Sequence, residues 1–169
     1  VVLVTARLAF ICNSQAIENS SLNDNISNFG GDPANVLIFG QSGGGAKVSA
    51  LMAMPAAKGL FHRAVVQSGS MLRAGSTDNA ARVAAMVLEE LAISKTNLEK
   101  LHSVPTSSLQ AVQPVVLKRL GTGAARGGGM RTWGPVVDGK VLPSHPFDSG
   151  APDISAHVPM LIGTCLNEF

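Results

Sequence analysis

Apolar residues in this chain gather into short unbroken runs, separated by stretches rich in glycine, serine and asparagine. Val1-Val2-Leu3-Val4-Thr5, Val36-Leu37-Ile38-Phe39, Ala64-Val65-Val66-Gln67 and Val158-Pro159-Met160-Leu161-Ile162 are β-prone and lack the alternation of a half-exposed strand. Such runs predict strands buried on both faces of a parallel sheet. Between the second and third run, Ala46 to Met52 is made of helix-friendly residues. Strand, helix, strand with short connections predicts a βαβ unit with a right-handed crossover. Pro55 to His62 forms the connection into the third run.

A different pattern fills the middle of the chain. Val83, Val87, Leu88 and Leu91 fall at helical spacing within Asp78 to Leu91, with Glu89 and Glu90 on the wet side. Thr96 followed by Glu99 has capping-box spacing and predicts a further short helix. Leu109–Val112 and Val115–Leu120 read as helical, with Pro114 as a break or kink between them. Gly121 to Gly129 reads as a flexible glycine-rich loop. Trp133 to Leu142 predicts a hairpin, because Asp138-Gly139 between valine-rich arms favours a tight reverse turn. Residues 12–28 are polar and aperiodic, a loop with a short helix near Leu22 to Phe29, and Gly30-Gly31-Asp32-Pro33 is a turn. The pattern divides one domain into core strands (1–70), a helical insertion (71–132), and a hairpin with a last strand (133–169).

Composition narrows the classes. With 169 residues, 46% hydrophobic and 14% charged, the chain can bury a core and is not disordered. A formal charge of +2 without like-charge runs argues against nucleic acid or an anionic membrane surface as partner. Val1 to Ile11 is apolar but is interrupted by Arg7, and it is too short for a span. Cys12 and Cys165 are the only cysteines, and their spacing reads as two buried small hydrophobes in a reducing, cytoplasmic setting. With Val rather than Met as the first residue, the natural N-terminus is expected upstream. No phosphate loop, zinc helix or paired Cys-x-x-Cys occurs, so no cofactor or metal is expected.

The chemistry concentrates at Gly40-Gln41-Ser42-Gly43-Gly44, directly after the second apolar run. Gly-x-Ser-x-Gly between a strand and a helix is the setting of a nucleophile elbow, which holds a serine in a strained turn with its Oγ above the sheet. The pentapeptide alone is weak; its context makes Ser42 the candidate nucleophile. A serine hydroxyl needs a base, and the base an orienting acid. In this architecture the chain order is Ser, acid, His, each at the carboxyl end of its own strand. Glu168, a short turn after Met160 to Ile162, meets that demand. His62, His102, His145 and His157 all precede Glu168, so none occupies the expected place in order. Gly127-Gly128-Gly129 lies downstream of Ser42, on the wrong side for an oxyanion loop.

Several ordered blocks resemble the type-B carboxylesterases, the family of bacterial para-nitrobenzyl esterases and the cholinesterases. They are Asn28-Phe29-Gly30-Gly31-Asp32-Pro33-Ala34-Asn35-Val36, Phe39 to Gly45, Gly59-Leu60-Phe61-His62-Arg63-Ala64 and Gln67-Ser68-Gly69-Ser70. Gly134-Pro135-Val136-Val137-Asp138-Gly139, Pro159-Met160-Leu161-Ile162-Gly163-Thr164 and Asn167-Glu168 follow in the same order. The resemblance implies an α/β-hydrolase fold, Ser42 as nucleophile, Glu168 as triad acid and Gly43 as an oxyanion donor. It also implies that Ser68 supports the triad from behind. The implied activity is hydrolysis of small-molecule carboxylic esters through an acyl-enzyme.

Three departures accompany it. The family usually has Glu and Ala around the nucleophile, where this chain has Gln41 and Gly43. Loss of that carboxylate bears on substrate preference or on the base's pKa. Residues 9–26 look shortened or divergent. The oxyanion glycine loop and the histidine are expected outside residues 1–169, so the chain reads as an internal piece of a longer enzyme. A non-catalytic interaction domain or inactive fragment on the same fold is the alternative.

Overall fold

The computed structural model describes residues 2–5, 21–121, 133–148 and 150–168. Their backbone divides into two units, Val1–Ala74 with Val137–Phe169, and Gly75–Val136.

The first unit is built on parallel strands. β1 (Val2–Thr5), β2 (Val36–Gln41), β3 (Arg63–Gln67) and β6 (Met160–Gly163) form one sheet in the order β1-β2-β3-β6, every pairing parallel. Register is Val2 opposite Val36, Ile38 opposite Ala64, Gln41 opposite Gln67, and Gln67 opposite Gly163. Alternate side chains of β2 and β3 (Val36, Ile38, Ala64, Val66) are buried on one face. There they pack with Val48, Leu51 and Met52 of helix α1 (Gly43–Ala53). Each fully buried Val, Leu or Ile side chain contributes ~1.5–3 kcal/mol relative to exposure. The strand–helix–strand unit expected from the pattern is therefore present, and it leaves Ser42 at its first corner. The polar stretch before it ends in helical residues 21–25 and a 3-10 turn, Ile26–Phe29, closed by Gly30 at φ 76°.

The second unit is helical. Strand β4 (Gly75–Ser76) leads into α2 (Thr77–Glu90), whose N-cap Ser76 accepts from the Asn79 N–H. A 3-10 turn, Leu98–Ser103, precedes α3 (Thr106–Arg119). Val83 meets Val112 and Val116 in a small core, with Met86, Val87 and Trp133 packed against it. Arg119 donates to both Glu89 and Glu90 at 2.7 Å, and those carboxylates raise its pKa.

Four expectations need correction. Pro114 does not split the helix: α3 runs through it, because Pro114 is exposed while Val112 and Val116, four apart, keep a continuous buried stripe. The capping box at Thr96 does not form, since Asn97 takes the N-cap position and the Thr96 hydroxyl pairs with Ser94 at 2.8 Å. No hairpin closes at Asp138-Gly139. Instead β5 (Val136–Val137) belongs with β4 in a two-stranded sheet, where the Gly75 N–H donates to the Pro135 carbonyl at 2.8 Å. The Asp138 carboxylate is engaged locally, accepting the N–H groups of Lys140, Val141 and Leu142 at 2.9, 2.9 and 3.1 Å. The Lys140 and Leu142 donors hold its pKa low. Finally, Cys165 is free and exposed rather than buried. Cys12 and most of Gly121–Gly129, including Gly127-Gly128-Gly129, lie outside the described residues.

Candidate active site

The β2–α1 corner explains why a serine stands here. Ser42 has φ 54° and ψ −120°, a conformation that L-residues rarely adopt, directly between the last strand residue and the first helical one. Two backbone bonds hold it: the Ser42 N–H donates to the Gln67 carbonyl at 2.8 Å, and its own carbonyl accepts the Ala46 N–H at 3.1 Å. Strand and helix approach so closely that a Cβ on Gly40 would overlap the Gly44 carbonyl and stand 2.8 Å from Gly45 N. The first motif glycine is thus required for space. Gly43 begins α1, so its N–H belongs to the first helical turn, where amides lack intrahelical acceptors and the dipole favours negative charge.

Glu168 follows β6 at the same, carboxyl-terminal end of the sheet and is half-buried. Its Oε1 accepts the Cys165 N–H at 3.1 Å. Hydrogen bonding from the Ser68 side chain is the main cause that holds its carboxyl below the ordinary carboxylate range, followed by the Cys165 N–H. Ser68 is positioned for this by its own left-handed backbone, φ 51°, and by its N–H donating to the Gly163 carbonyl at 2.8 Å. Gln41, Gln67, Ser68, Ile162, Thr164 and Glu168 line an open groove of about 510 Å³. Ser42 is not in its walls; its neighbour Gln41 is.

His62, His102 and His145 have other engagements. His62 Nδ1 accepts the Val36 N–H at 3.3 Å, and the His62 N–H donates to the Val36 carbonyl at 2.9 Å. It therefore caps the start of β2, about 20 Å from Ser42 at the rise of a strand. His157 precedes Pro159, whose carbonyl accepts the Ala64 N–H near the start of β3, so it too lies at the far end of the sheet. His145 takes the Ala74 N–H on Nδ1 at 3.2 Å, and its Nε2 faces Arg73 at 3.3 Å. His102, in the second unit, lies 3.8 Å from Glu99. Among the described residues no group of three or more His, Cys, Asp or Glu side chains is arranged to hold a metal ion.

A serine in a strained strand–helix corner, a helix N-terminus beside it and a carboxylate at a neighbouring strand end have clear relatives. The sequence model of the carboxylesterase family matches residues 21–169. The chain belongs to the carboxylesterase family. It is similar to the para-nitrobenzyl esterase of Bacillus subtilis, 38% identical over 154 residues that cover 91% of this chain and 30% of that protein. Pig (Sus scrofa) liver carboxylesterase is 36% identical over 152 residues, covering 86% of this chain and 27% of the relative. Among solved structures, a thermophilic PNB esterase superposes with a TM-score of 0.82 at 37% identity, covering 93% of this chain and 32% of that one. A carboxylesterase of Geobacillus stearothermophilus gives 0.74 at 35% identity, covering 90% and 30%. The fold is that of the α/β-hydrolases, represented in part: this chain spans about 30% of the length of the carboxylesterases it matches. No helix among the described residues is long and apolar enough to cross a membrane.

Two features of this carboxylesterase chain escaped the sequence. The Cys165 N–H donor to Glu168 is a backbone group and leaves no trace in residue type. Ser49, buried in α1, is hydrogen-bonded on both sides, to the Gly45 carbonyl and to the Met71 N–H. Its only signal was a hydroxyl among the apolar residues Val48, Ala50, Leu51 and Met52 of α1.

Proposed function

We propose that this chain carries the nucleophile and the acid of a serine carboxylesterase. The observation behind the reading is Ser42 at φ 54° on the carboxyl end of a parallel strand, with Glu168 anchored by Ser68 after a strand of the same sheet. Ser42 Oγ attacks the ester carbonyl carbon as the base takes its proton. The tetrahedral oxyanion is met by the Gly43 N–H and further donors. Collapse expels the alcohol, which leaves with that proton, and gives the Ser42 acyl-enzyme. Water then adds to the acyl carbon, the carboxylic acid departs and Ser42 regains its proton.

Glu168, kept ionised by Ser68 and Cys165, orients the base histidine, which comes from sequence outside this chain. Gln41 leaves the nucleophile's flank uncharged, so among the described residues Glu168 is the one carboxylate lining the groove. The substrate class is a small-molecule carboxylic ester, in keeping with the para-nitrobenzyl ester in the name of one relative. No cofactor takes part. In the full-length protein, Ser42→Ala should lower turnover of p-nitrophenyl acetate by at least about 10⁴-fold. Unchanged turnover would sink the assignment.

A further inference from the structure

The turn that follows β3 is pressed against the nucleophile more closely than any side chain would allow. A Cβ on Gly69 would overlap the Ser42 carbonyl and stand 2.8 Å from the Ser42 Cα. Gly69 is not among the left-handed glycines, so its bare backbone serves space and not conformation. The helix is pressed in from the other side: a Cβ on Gly45 would stand 3.3 Å from the Gly69 carbonyl carbon. Two further bonds hold the turn in place. Ser42 donates to Gln67, two residues before Gly69, and the Met71 N–H, two residues after it, donates to Ser49 Oγ at 3.2 Å. Ser49 is 1% exposed and also donates to the Gly45 carbonyl at 3.1 Å, so the turn is fixed to the body of α1. Between these points stands Ser68, the hydroxyl that bonds Glu168.

We propose that the turn after β3, held by Gly69 and Ser49, positions the Ser42 nucleophile and ties its placement to that of Glu168. Gly69 and Ser49 act through Ser42 and touch no substrate; they are positioning residues. The proposal rests on the reading of Ser42 as nucleophile. Displacing the turn displaces Ser42, because the elbow has no space to absorb a side chain at 69. A misplacement of about 1 Å at a reacting atom costs about 100-fold in rate.

The test uses the full-length protein with p-nitrophenyl acetate as substrate and a fluorophosphonate as probe of Ser42, well below the melting temperature. Gly69→Ala should lower kcat about 100-fold or more, with KM changed by less than about threefold, and should slow fluorophosphonate labelling in parallel. Ser49→Ala, which frees the turn without crowding it, should lower kcat about tenfold. Gly59→Ala serves as the control. Its φ of 79° makes alanine costly there, but nothing lies within 4 Å, so it should lower Tm and leave kcat unchanged. A folded Gly69→Ala variant with the kcat of the parent overturns the proposal, as does a kcat loss no larger than that of Gly59→Ala. Should Gly69→Ala fail to fold, Ser49→Ala decides, and an unchanged kcat there overturns it. Hydrolysis that survives Ser42→Ala removes the underlying reading, and the Gly69 result does not enter into that outcome.

Discussion

Ser68 is where conformation becomes electrostatics. It stands at φ 51°, its side chain hydrogen-bonds Glu168, and that donor favours the ionised carboxylate. A carboxyl whose folded pKa is depressed contributes stability that is present above its ordinary range. That contribution disappears as pH falls through the lower, folded value. Ser68→Ala should raise the Glu168 titration midpoint towards the ordinary carboxylate range and lower stability at neutral pH, with the difference from the parent vanishing as pH falls through the parent's folded midpoint. Carboxyl-selective NMR titration reads the shift, and identical midpoints in the two proteins would contradict the role given to Ser68. Ser42 and Glu168 were legible as candidates because each follows an apolar strand run at a turn. Gly69 and Ser49 were not legible as positioning groups, because their effect depends on two segments meeting across the sheet, which local sequence does not encode.

At the level of elements, α2 ends in a Schellman arrangement: the Ala92 N–H donates to the Glu89 carbonyl at 3.0 Å and the Ile93 N–H to the Leu88 carbonyl at 2.8 Å. Leu88 and Ile93 are both buried, the apolar pair that accompanies such a cap. The left-handed position, φ 52°, falls on alanine where glycine is usual. Ala92→Gly should therefore stabilise the second unit by about 1 kcal/mol. A chemical denaturation midpoint shows this as an increase, and a decrease would contradict the cap assignment. The helices were visible from their periodicity, but this stop was not, since Ala92 carries no signal for positive φ. The failures at Thr96, Pro114 and Asp138 share a cause. In each, a local rule was outweighed by a competing partner: Ser94 for Thr96, the buried stripe of α3 for Pro114, and three backbone N–H groups for Asp138.

For the molecule as a whole, strand order decides where chemistry can gather. β2, β3 and β6 are consecutive and parallel, so their carboxyl ends bring Ser42, Ser68 and Glu168 to one rim of the sheet. Continuous apolar runs made the parallel sheet legible in the sequence, because only strands covered on both faces tolerate them. The same rule marks β6 as unusual. Leu161 is 69% exposed and Ile162 53%, in a chain that spans about 30% of its relatives' length. No histidine follows Glu168 in the sequence; His62 and His145 are engaged in hydrogen bonds of their own, and His157 stands near the start of β3, at the other end of the sheet. In the proposed function the rim presents a reactive serine. The most direct measurement is peptide mapping by mass spectrometry after the full-length protein has reacted with a fluorophosphonate. A single adduct is expected on the peptide containing Ser42, absent from the Ser42→Ala variant. An adduct on another residue, with ester hydrolysis abolished by it, would overturn Ser42 as the nucleophile.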